Sequence, residues 1–157
     1  MPSKVEVGTH VPHFEMTDSS GKKISPKLFE GHPFVLYFYP KDETPGCTAE
    51  ACDFRDLKES FNQLNIPIIG VSPDSNDSHN TFIAKHELNF SLISDPDHHL
   101  SSLFNVWEEK TVFGKKTWGI KRATFLVNSK GVICWIEKPV QVKQHAERVL
   151  QALASIR

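Results

Sequence analysis

Hydrophobic residues along the chain form runs and spaced stripes that predict alternating strands and helices. The run FVLYFY at 34–39 is apolar throughout and ends at Pro40, which predicts a strand buried on both faces. IPIIGV at 66–71 predicts a second strand of this kind. Between them, Thr44 and Pro45 have the residue types of a helix N-cap and first helical position. The helix predicted after them has apolar side chains every three or four residues, at Ala51, Phe54, Leu57, Phe61 and Leu64.

The rest of the chain predicts further helices, strands and a hairpin. Residues 77–88 predict a helix, 90–95 a short strand and 96–105 a short helical stretch. Residues 106–121 are polar and aromatic with two glycines, and we interpret them as a long loop or an irregular hairpin. ATFLVN, the turn SKG and VICWIE then predict a β-hairpin. Residues 141–156 predict a terminal helix whose apolar face carries Val142, Ala146, Val149, Leu150 and Leu153.

The order of these elements predicts the fold class. The early strand–helix–strand unit implies parallel pairing with a right-handed crossover, and the late hairpin adds antiparallel strands. We therefore expect an α/β protein with a mixed central sheet and helices on both faces, the thioredoxin-like arrangement. A length of 157 residues suits a single domain over 1–157.

Composition and charge narrow the function classes. Hydrophobic residues make up 39% and charged residues 24%, and the formal net charge is −1, so nothing favours nucleic acid or an anionic membrane as a partner. The first residues lack the apolar core of a signal peptide, and no apolar run approaches the roughly 20 residues of a membrane-spanning helix. We expect a cytoplasmic protein.

The three cysteines, Cys47, Cys52 and Cys134, are an odd set, which argues against a structural disulfide framework. In a reducing cytosol, two cysteines close in sequence are more often catalytic, redox-active or metal-bound. A zinc site is disfavoured because no paired C-x-x-C and no nearby histidine supply further ligands. We interpret His98 and His99 as part of a loop or helix start, and the other histidines as surface residues.

Cys47 has the position of a reactive thiol. If Thr44 is the N-cap, Cys47 is the third helical residue and lies among amide groups that lack helical partners. Their dipoles favour an anion, and the thiolate is the nucleophilic form of cysteine. We expect Cys47 to be solvent-reachable and chemically active, rather than a buried cysteine that acts as a small hydrophobe.

Cys52 lies too far along the same helix to bond Cys47 directly. On an ideal helix, the five-residue separation advances about 7.5 Å and turns about 140°, which places the two Cα atoms roughly 8–9 Å apart. A disulfide needs a Cα separation below about 7 Å. A bridge between these cysteines would therefore require the first turns of the helix to unwind.

These residues resemble a known family. PKDETPGC at 40–47 matches the P-x-x-x-T-x-x-C signature of the peroxiredoxins, and TAEACDFRD at 48–56 resembles their Q type, also called bacterioferritin comigratory proteins. VGTHVPHFEMTDSSGKKI at 7–24 resembles the opening segment of the family. The segment at 106–131 resembles the late segment that carries the family's catalytic arginine, here Arg122. The resemblance extends over essentially the whole chain.

The resemblance implies a thioredoxin-dependent peroxidase that reduces hydrogen peroxide and small organic hydroperoxides. Cys47 would attack the peroxide and become a sulfenic acid, and Cys52 would resolve it to a disulfide that thioredoxin or a similar dithiol reduces. Thr44 would hydrogen-bond the thiolate or the peroxide, Arg122 would stabilise both, and Pro40 would shape and dry the pocket. The resemblance implies no metal and no organic cofactor, and members of the Q type are often monomers.

Several alternatives remain open at the level of sequence. A dithiol–disulfide oxidoreductase is disfavoured by the absence of C-x-x-C, and a redox-sensing or holdase module would form a disulfide without rapid peroxide turnover. Glu50 could position Arg122 or cap its own helix. Cys134 is interpreted as a core or sheet-surface thiol. Trp107 and Trp118 either line the pocket mouth or simply pack.

Overall fold

The computed structural model of the chain describes residues 4–63 and 66–155. Its strands are β1 (Met16–Thr17), β2 (Lys23–Ile24), β3 (Phe34–Phe38), β4 (Ile68–Ser72), β5 (Ser91–Ser94), β6 (Trp107–Val112), β7 (Lys115–Ile120), β8 (Ala123–Val127) and β9 (Ile133–Glu137). Its helices are α1 (Pro45–Asp56), α2 (Lys58–Gln63), α3 (Asn76–His86), α4 (His99–Leu103) and α5 (His145–Ser155), with a 3-10 helix at Pro26–Phe29. These elements confirm the predicted α/β class.

A five-stranded mixed sheet in the order β5-β4-β3-β8-β9 forms the centre of the fold. β3 pairs in parallel with β4, and β4 with β5, whereas β8 is antiparallel to both β3 and β9. The parallel pairing of the early unit and the late hairpin are both confirmed. Every residue of β3 is buried, as its uninterrupted apolar sequence predicts for a strand covered on both faces.

Alternate side chains of β3 enter two separate cores, one on each face of the sheet. The first core joins Phe34, Leu36 and Phe38 to side chains from α4 and the N-terminal segment, including Leu100 and Phe14. The second core joins Val35 and Tyr37 to side chains from α1, α3 and α5, including Phe54, Phe82 and Val149. Helices therefore cover both faces of the sheet, as predicted.

Residues 107–120 form a hairpin, so the long-loop alternative is wrong, and the hairpin alternative is confirmed except that the hairpin is regular. β6 and β7 pair antiparallel from Trp107 opposite Ile120 to Val112 opposite Lys115. The connecting residues Phe113 and Gly114 both have positive φ, 51° and 77°, as a type I′ turn requires. Asn, Asp or Gly normally takes the first of these positions, and a phenylalanine there hid the turn from sequence analysis.

The predicted helix after Thr44 is divided into α1 and α2 at Leu57, whose backbone (φ −93°, ψ 5°) leaves the helical region. Of its predicted apolar face, Ala51, Phe54 and Phe61 are buried, and Leu64 lies outside the described residues. The terminal helix begins at His145, later than predicted, and its predicted end at residue 156 is outside the described residues. None of the described helices is long and apolar enough to cross a membrane.

Candidate active site

Cys47 lies in the first turn of α1, after the loop that leaves the end of β3. Thr44 has the extended backbone of an N-cap (φ −74°, ψ 150°) and Pro45 follows as the first helical residue, so the predicted helix start is confirmed. The Cys47 side chain is 1% exposed and belongs to the core that contains Val35 and Tyr37. The expectation of a solvent-reachable thiol is therefore wrong, because the third residue of α1 faces the sheet.

The hydroxyl of Thr44 points back along the loop. It donates a hydrogen bond to the Lys41 carbonyl at 2.9 Å and makes no side-chain cap to α1. A hydroxyl has one proton, so Thr44 must turn away from Lys41 before it can donate to a thiolate or a peroxide oxygen. Glu43, directly before it, has a φ of 66°, which is uncommon for a residue with a side chain. The predicted role of Thr44 stays a prediction.

Arg122 reaches the start of α1 from the segment between β7 and β8. A Cβ atom at Gly46 would lie 2.9 Å from Arg122 Nη2, so any larger residue would collide with the guanidinium. Gly46 thus permits Arg122 to lie against the residue that precedes Cys47. The Arg122 side chain is 22% exposed, unlike the solvated arginine that is usual at the entry to a strand.

Glu50 is a buried carboxylate next to this guanidinium. It is 1% exposed, and its Oε1 lies 3.5 Å from Arg122 Nη1. Of the two alternatives for Glu50, the structure favours contact with Arg122. Burial, and then the charges of Glu50 and Cys47, raise the pKa of Tyr37 well above its usual value. Tyr37 therefore stays neutral, and its hydroxyl has no hydrogen-bond partner among the described residues.

Sequence analysis interpreted His79 and His145 as surface residues, and this is wrong. The two histidines are 0% and 1% exposed. His145 Nε2 lies 2.9 Å from Thr124 Oγ1, and its Nδ1 lies 3.1 Å from Glu50 Oε2. One signal could have identified His145. It lies four residues before Val149, on the apolar side of the terminal helix.

His79 belongs to a second buried cluster, which anchors the loop before Cys47. His79 Nδ1 lies 2.7 Å from Asp42 Oδ2, and its Nε2 lies 3.0 Å from the Ile93 carbonyl. Tyr39 donates to Asp42 Oδ1 at 2.6 Å and Ser78 donates to Oδ2 at 2.8 Å. This cluster attaches the loop that carries Pro40 and Thr44 to α3 and β5.

A cleft of about 400 Å³ borders the site on the side of the β6–β7 hairpin. Pro40 and Arg122 both line it, together with Glu108, Glu109, Lys110, Ile120, Lys121, Pro139 and Val140. Cys47 itself, which is buried, is not one of the residues that line this cleft. Trp107 and Trp118 line a different cleft, with Ser102, Asn105 and Glu108.

The other two cysteines differ from Cys47 in environment. Cys52 is half-buried near the end of α1, and all three cysteines are free thiols. Cys134 is half-buried in β9, where its Sγ donates to the Leu126 carbonyl at 3.4 Å, and burial raises its pKa. Cys134 is thus the sheet thiol that was predicted. Within residues 4–63 and 66–155, no group of three or more His, Cys, Asp or Glu side chains could hold a metal ion.

The chain is similar to bacterial peroxiredoxins in sequence and in fold. A model of the AhpC/TSA family matches residues 7–136. Peroxiredoxin Bcp of Bacillus subtilis is 46% identical over 149 residues, which cover 95% of each chain. A structure of the Xanthomonas campestris bacterioferritin comigratory protein superimposes with a TM-score of 0.90 at 39% identity and covers 97% of both chains. A cysteine-to-serine mutant of Xylella fastidiosa PrxQ gives 0.92 at 36% identity over 98% of both chains.

Proposed function

Because this chain belongs to the AhpC/TSA family of peroxiredoxins and is a cysteine-based thiol peroxidase, we propose that Cys47 is its peroxidatic residue. The observation that carries this assignment is the position of Cys47 in the first turn of α1, with the Arg122 guanidinium against Gly46. The proposed substrates are hydrogen peroxide and small organic hydroperoxides. The related Xanthomonas campestris protein is described for its alkyl peroxide reduction activity, which supports the organic substrates.

In the first step, the Cys47 thiolate attacks one oxygen of the peroxide. A sulfur–oxygen bond forms as the O–O bond breaks, the sulfur loses two electrons, and the released alkoxide or hydroxide takes a proton and leaves as alcohol or water. Unpaired amide groups at the start of α1 stabilise the thiolate. Arg122 offers a planar set of donors to the two peroxide oxygens, where charge develops in the transition state.

The cleft beside the hairpin is the proposed route for the peroxide. Arg122 and Pro40 line it, and Arg122 also lies against the residue before Cys47, so a peroxide in the cleft would meet the guanidinium first. Pro40 adds an apolar wall that lacks an N–H group, which helps to keep water from competing for these donors. Thr44 contributes once its hydroxyl turns from Lys41 toward the sulfur.

In the second step, the Cys52 thiol attacks the Cys47 sulfenic acid, a disulfide forms, and water leaves. Both cysteines lie on α1, and an intact helix holds their Cα atoms too far apart for this bond, so the segment between them must unwind. Glu50 lies inside that segment and loses its contacts with Arg122 and His145 when it moves.

A dithiol protein completes the cycle. The family implies a peroxide substrate and a thioredoxin-type reductant. We propose that thioredoxin or a similar protein reduces the Cys47–Cys52 disulfide. We also propose a monomeric single-domain enzyme of the cytoplasm that acts without nucleic acid or membrane, which fits the formal net charge of −1.

Intact mass measured with thiol counting, before and after one equivalent of hydrogen peroxide, tests these roles. We expect the loss of two hydrogens and two free thiols, with a Cys47–Cys52 bridge in the peptide map. Cys47→Ser should not react, Cys52→Ser should stop at a sulfenic acid, and Cys134→Ser is the matched control that reacts like the wild type. Full turnover by Cys47→Ser would disprove the assignment, and normal recycling of Cys52→Ser would remove Cys52 from the mechanism.

A further inference from the structure

We propose that His145 is a positioning residue for the peroxide reaction: its imidazole holds the Glu50 carboxylate, which in turn holds Arg122 at the start of α1. The inference rests on the proposed role of Arg122. It assigns a task to a buried histidine that lies outside the sequence motif and on a different helix from Cys47.

The contacts form one continuous chain of polar groups. Thr124 Oγ1 lies 2.9 Å from His145 Nε2, and His145 Nδ1 lies 3.1 Å from Glu50 Oε2. The other carboxylate oxygen of Glu50 lies 3.5 Å from Arg122 Nη1. Thr124, His145 and Glu50 are each no more than 1% exposed, so water cannot substitute for any of these partners without entering the core.

Hydrogen-bond accounting fixes the direction of this chain. Thr124 is fully buried, and His145 Nε2 is its side-chain partner within the part of the chain that the structure describes. The hydroxyl therefore donates its proton to Nε2, which leaves the second ring nitrogen, Nδ1, to carry the imidazole proton. That proton faces Glu50, and the carboxylate then has one oxygen toward His145 and the other toward Arg122.

The His145–Glu50 contact is close but poorly aligned. His145 Nδ1 and Glu50 Oε2 lie 3.1 Å apart. Neither atom makes a hydrogen bond of good geometry with any described residue. The ring is held from the other side by Thr124 and packs edge-on against Phe54 at 5.4 Å between centroids, so it can act as a fixed stop for Glu50.

Two variants of His145 distinguish the roles of its two ring nitrogens. In His145→Asn, the amide nitrogen takes the place of Nδ1 and can still face Glu50. In His145→Gln, the amide extends to the place of Nε2 and leaves Glu50 without its partner. His99→Gln, at an exposed histidine at the start of α4, is the matched control for the chemical change.

The measurements are the rate constant for oxidation of Cys47 by hydrogen peroxide in a single turnover, and the rate of alkylation of Cys47 by iodoacetamide. We expect His145→Gln to lower the peroxide rate constant about tenfold and His145→Asn to recover most of that loss, as expected when a donor that acts in the transition state is misplaced. Alkylation should fall much less than the peroxide rate constant in both variants, because a change in the thiolate affects both reactions, whereas contact between Arg122 and the two peroxide oxygens occurs only with peroxide.

Equal peroxide rates in His145→Gln and the wild type would overturn the proposal. So would a loss shared by both variants together with faster alkylation, since that pattern indicates a loosened core. If His145→Gln does not fold, Thr124→Val provides the test: it frees the ring, and an unchanged peroxide rate constant would also reject the role. Failure of the proposed function itself is separate, because it would appear as a wild-type protein whose Cys47 does not react with peroxide.

Discussion

Among the residues that the structure describes, two buried acid–histidine pairs have their acidic members in the chain before and after Cys47, and the pairs differ in how completely they are hydrogen-bonded. In the first, Asp42 and His79 lie 2.7 Å apart, and the two Asp42 oxygens accept further bonds from Tyr39 and Ser78. In the second, Glu50 and His145 lie 3.1 Å apart without a well-aligned hydrogen bond. The histidines are almost equally buried, so burial alone does not separate them.

The difference corresponds to what each pair must do during the reaction. Both ring nitrogens of His79 lie within hydrogen-bond distance of oxygen atoms, those of Asp42 and the Ile93 carbonyl, so His79 is part of a complete network. Such a network rigidifies the loop before Cys47. Glu50 lies between Cys47 and Cys52, and in the proposed mechanism it must leave Arg122 and His145 when the disulfide forms. A looser contact fits a group that holds Arg122 in one state and releases it in the next.

The largest expected effect is on catalysis and involves the Glu50–His145 pair, through the contact of Glu50 with Arg122. Arg122→Met removes the guanidinium that Glu50 holds, and we expect the rate constant of Cys47 with hydrogen peroxide to fall about 100- to 1000-fold. Stability should fall as well, because the buried Glu50 carboxylate loses its cationic partner. Stopped-flow oxidation measures the rate, and Arg55→Met, at an arginine paired with Asp56 on the same helix, is the control. A decrease of less than about tenfold would show that Arg122 does not stabilise the transition state of the peroxide reaction.

The next largest effect is on stability and involves the fully hydrogen-bonded Asp42–His79 pair. Asp42→Ala leaves the buried His79 ring and two hydroxyl donors without their acceptor, and we expect a loss of about 3 kcal/mol or more in the free energy of unfolding. Urea unfolding measures it, and Asp97→Ala, at an exposed aspartate, should be neutral within about 0.5 kcal/mol. If Asp42→Ala costs less than about 1 kcal/mol, the Asp42 cluster does not anchor the loop.

The two pairs should also respond differently to oxidation. In the disulfide form, we expect amides in α1 to exchange at least about tenfold faster than in the reduced form, because the helix unwinds there. Amides of α3, which holds His79, should keep their protection. Hydrogen exchange detected by mass spectrometry compares the two helices, and peroxide-treated Cys52→Ser is the control without a bridge. Equal loss of protection in both helices would mean that the Asp42 cluster opens as well.

Acid should reduce the contribution of the Asp42–His79 pair to stability in a defined pH window. Burial raises the pKa of Asp42, but the hydrogen bonds from His79 and Tyr39 and the charge of His79 outweigh it and hold that pKa below 3.8. A lowered pKa in the folded state means that the ionised carboxylate stabilises the fold. This stabilisation is complete above the unfolded-state value and is lost as the pH falls through the folded one.

We therefore expect the stability difference between the wild type and Asp42→Asn, followed from about pH 5 downward so that the carboxylate is the group that titrates, to shrink below about pH 4. Urea unfolding at a series of pH values measures it. A difference that grows as the pH falls would give the opposite sign and reject the assignment of Asp42 as the stabilising carboxylate.

The sequence predicted the positions that depend on local pattern. Apolar runs located the strands of the central sheet, and Thr44-Pro45 located the start of α1, because these signals act over a few residues. It failed where the cause is tertiary. Nothing local to Cys47 indicates that its side chain is turned into the core, and nothing near His79 or His145 identifies acid partners 37 and 95 residues away. Burial of these histidines depends on how α3 and α5 pack, which only the assembled fold determines.

Ser78→Ala should give the smallest effect and is the finest test of the contrast between the two pairs. The serine hydroxyl supplies one of several bonds to Asp42, at 2.8 Å, so its loss leaves the carboxylate still bonded to His79 and Tyr39. We expect a loss of about 1 kcal/mol in the free energy of unfolding, the usual contribution of one hydrogen bond, with the peroxide rate constant unchanged. Urea unfolding and stopped-flow oxidation of the same preparation measure both quantities, and Ser102→Ala, at an exposed serine of α4, is the control. A slower peroxide reaction at unchanged stability would mean that the Asp42 cluster also tunes the reactive cysteine, and the division between an anchoring pair and a positioning pair would not hold.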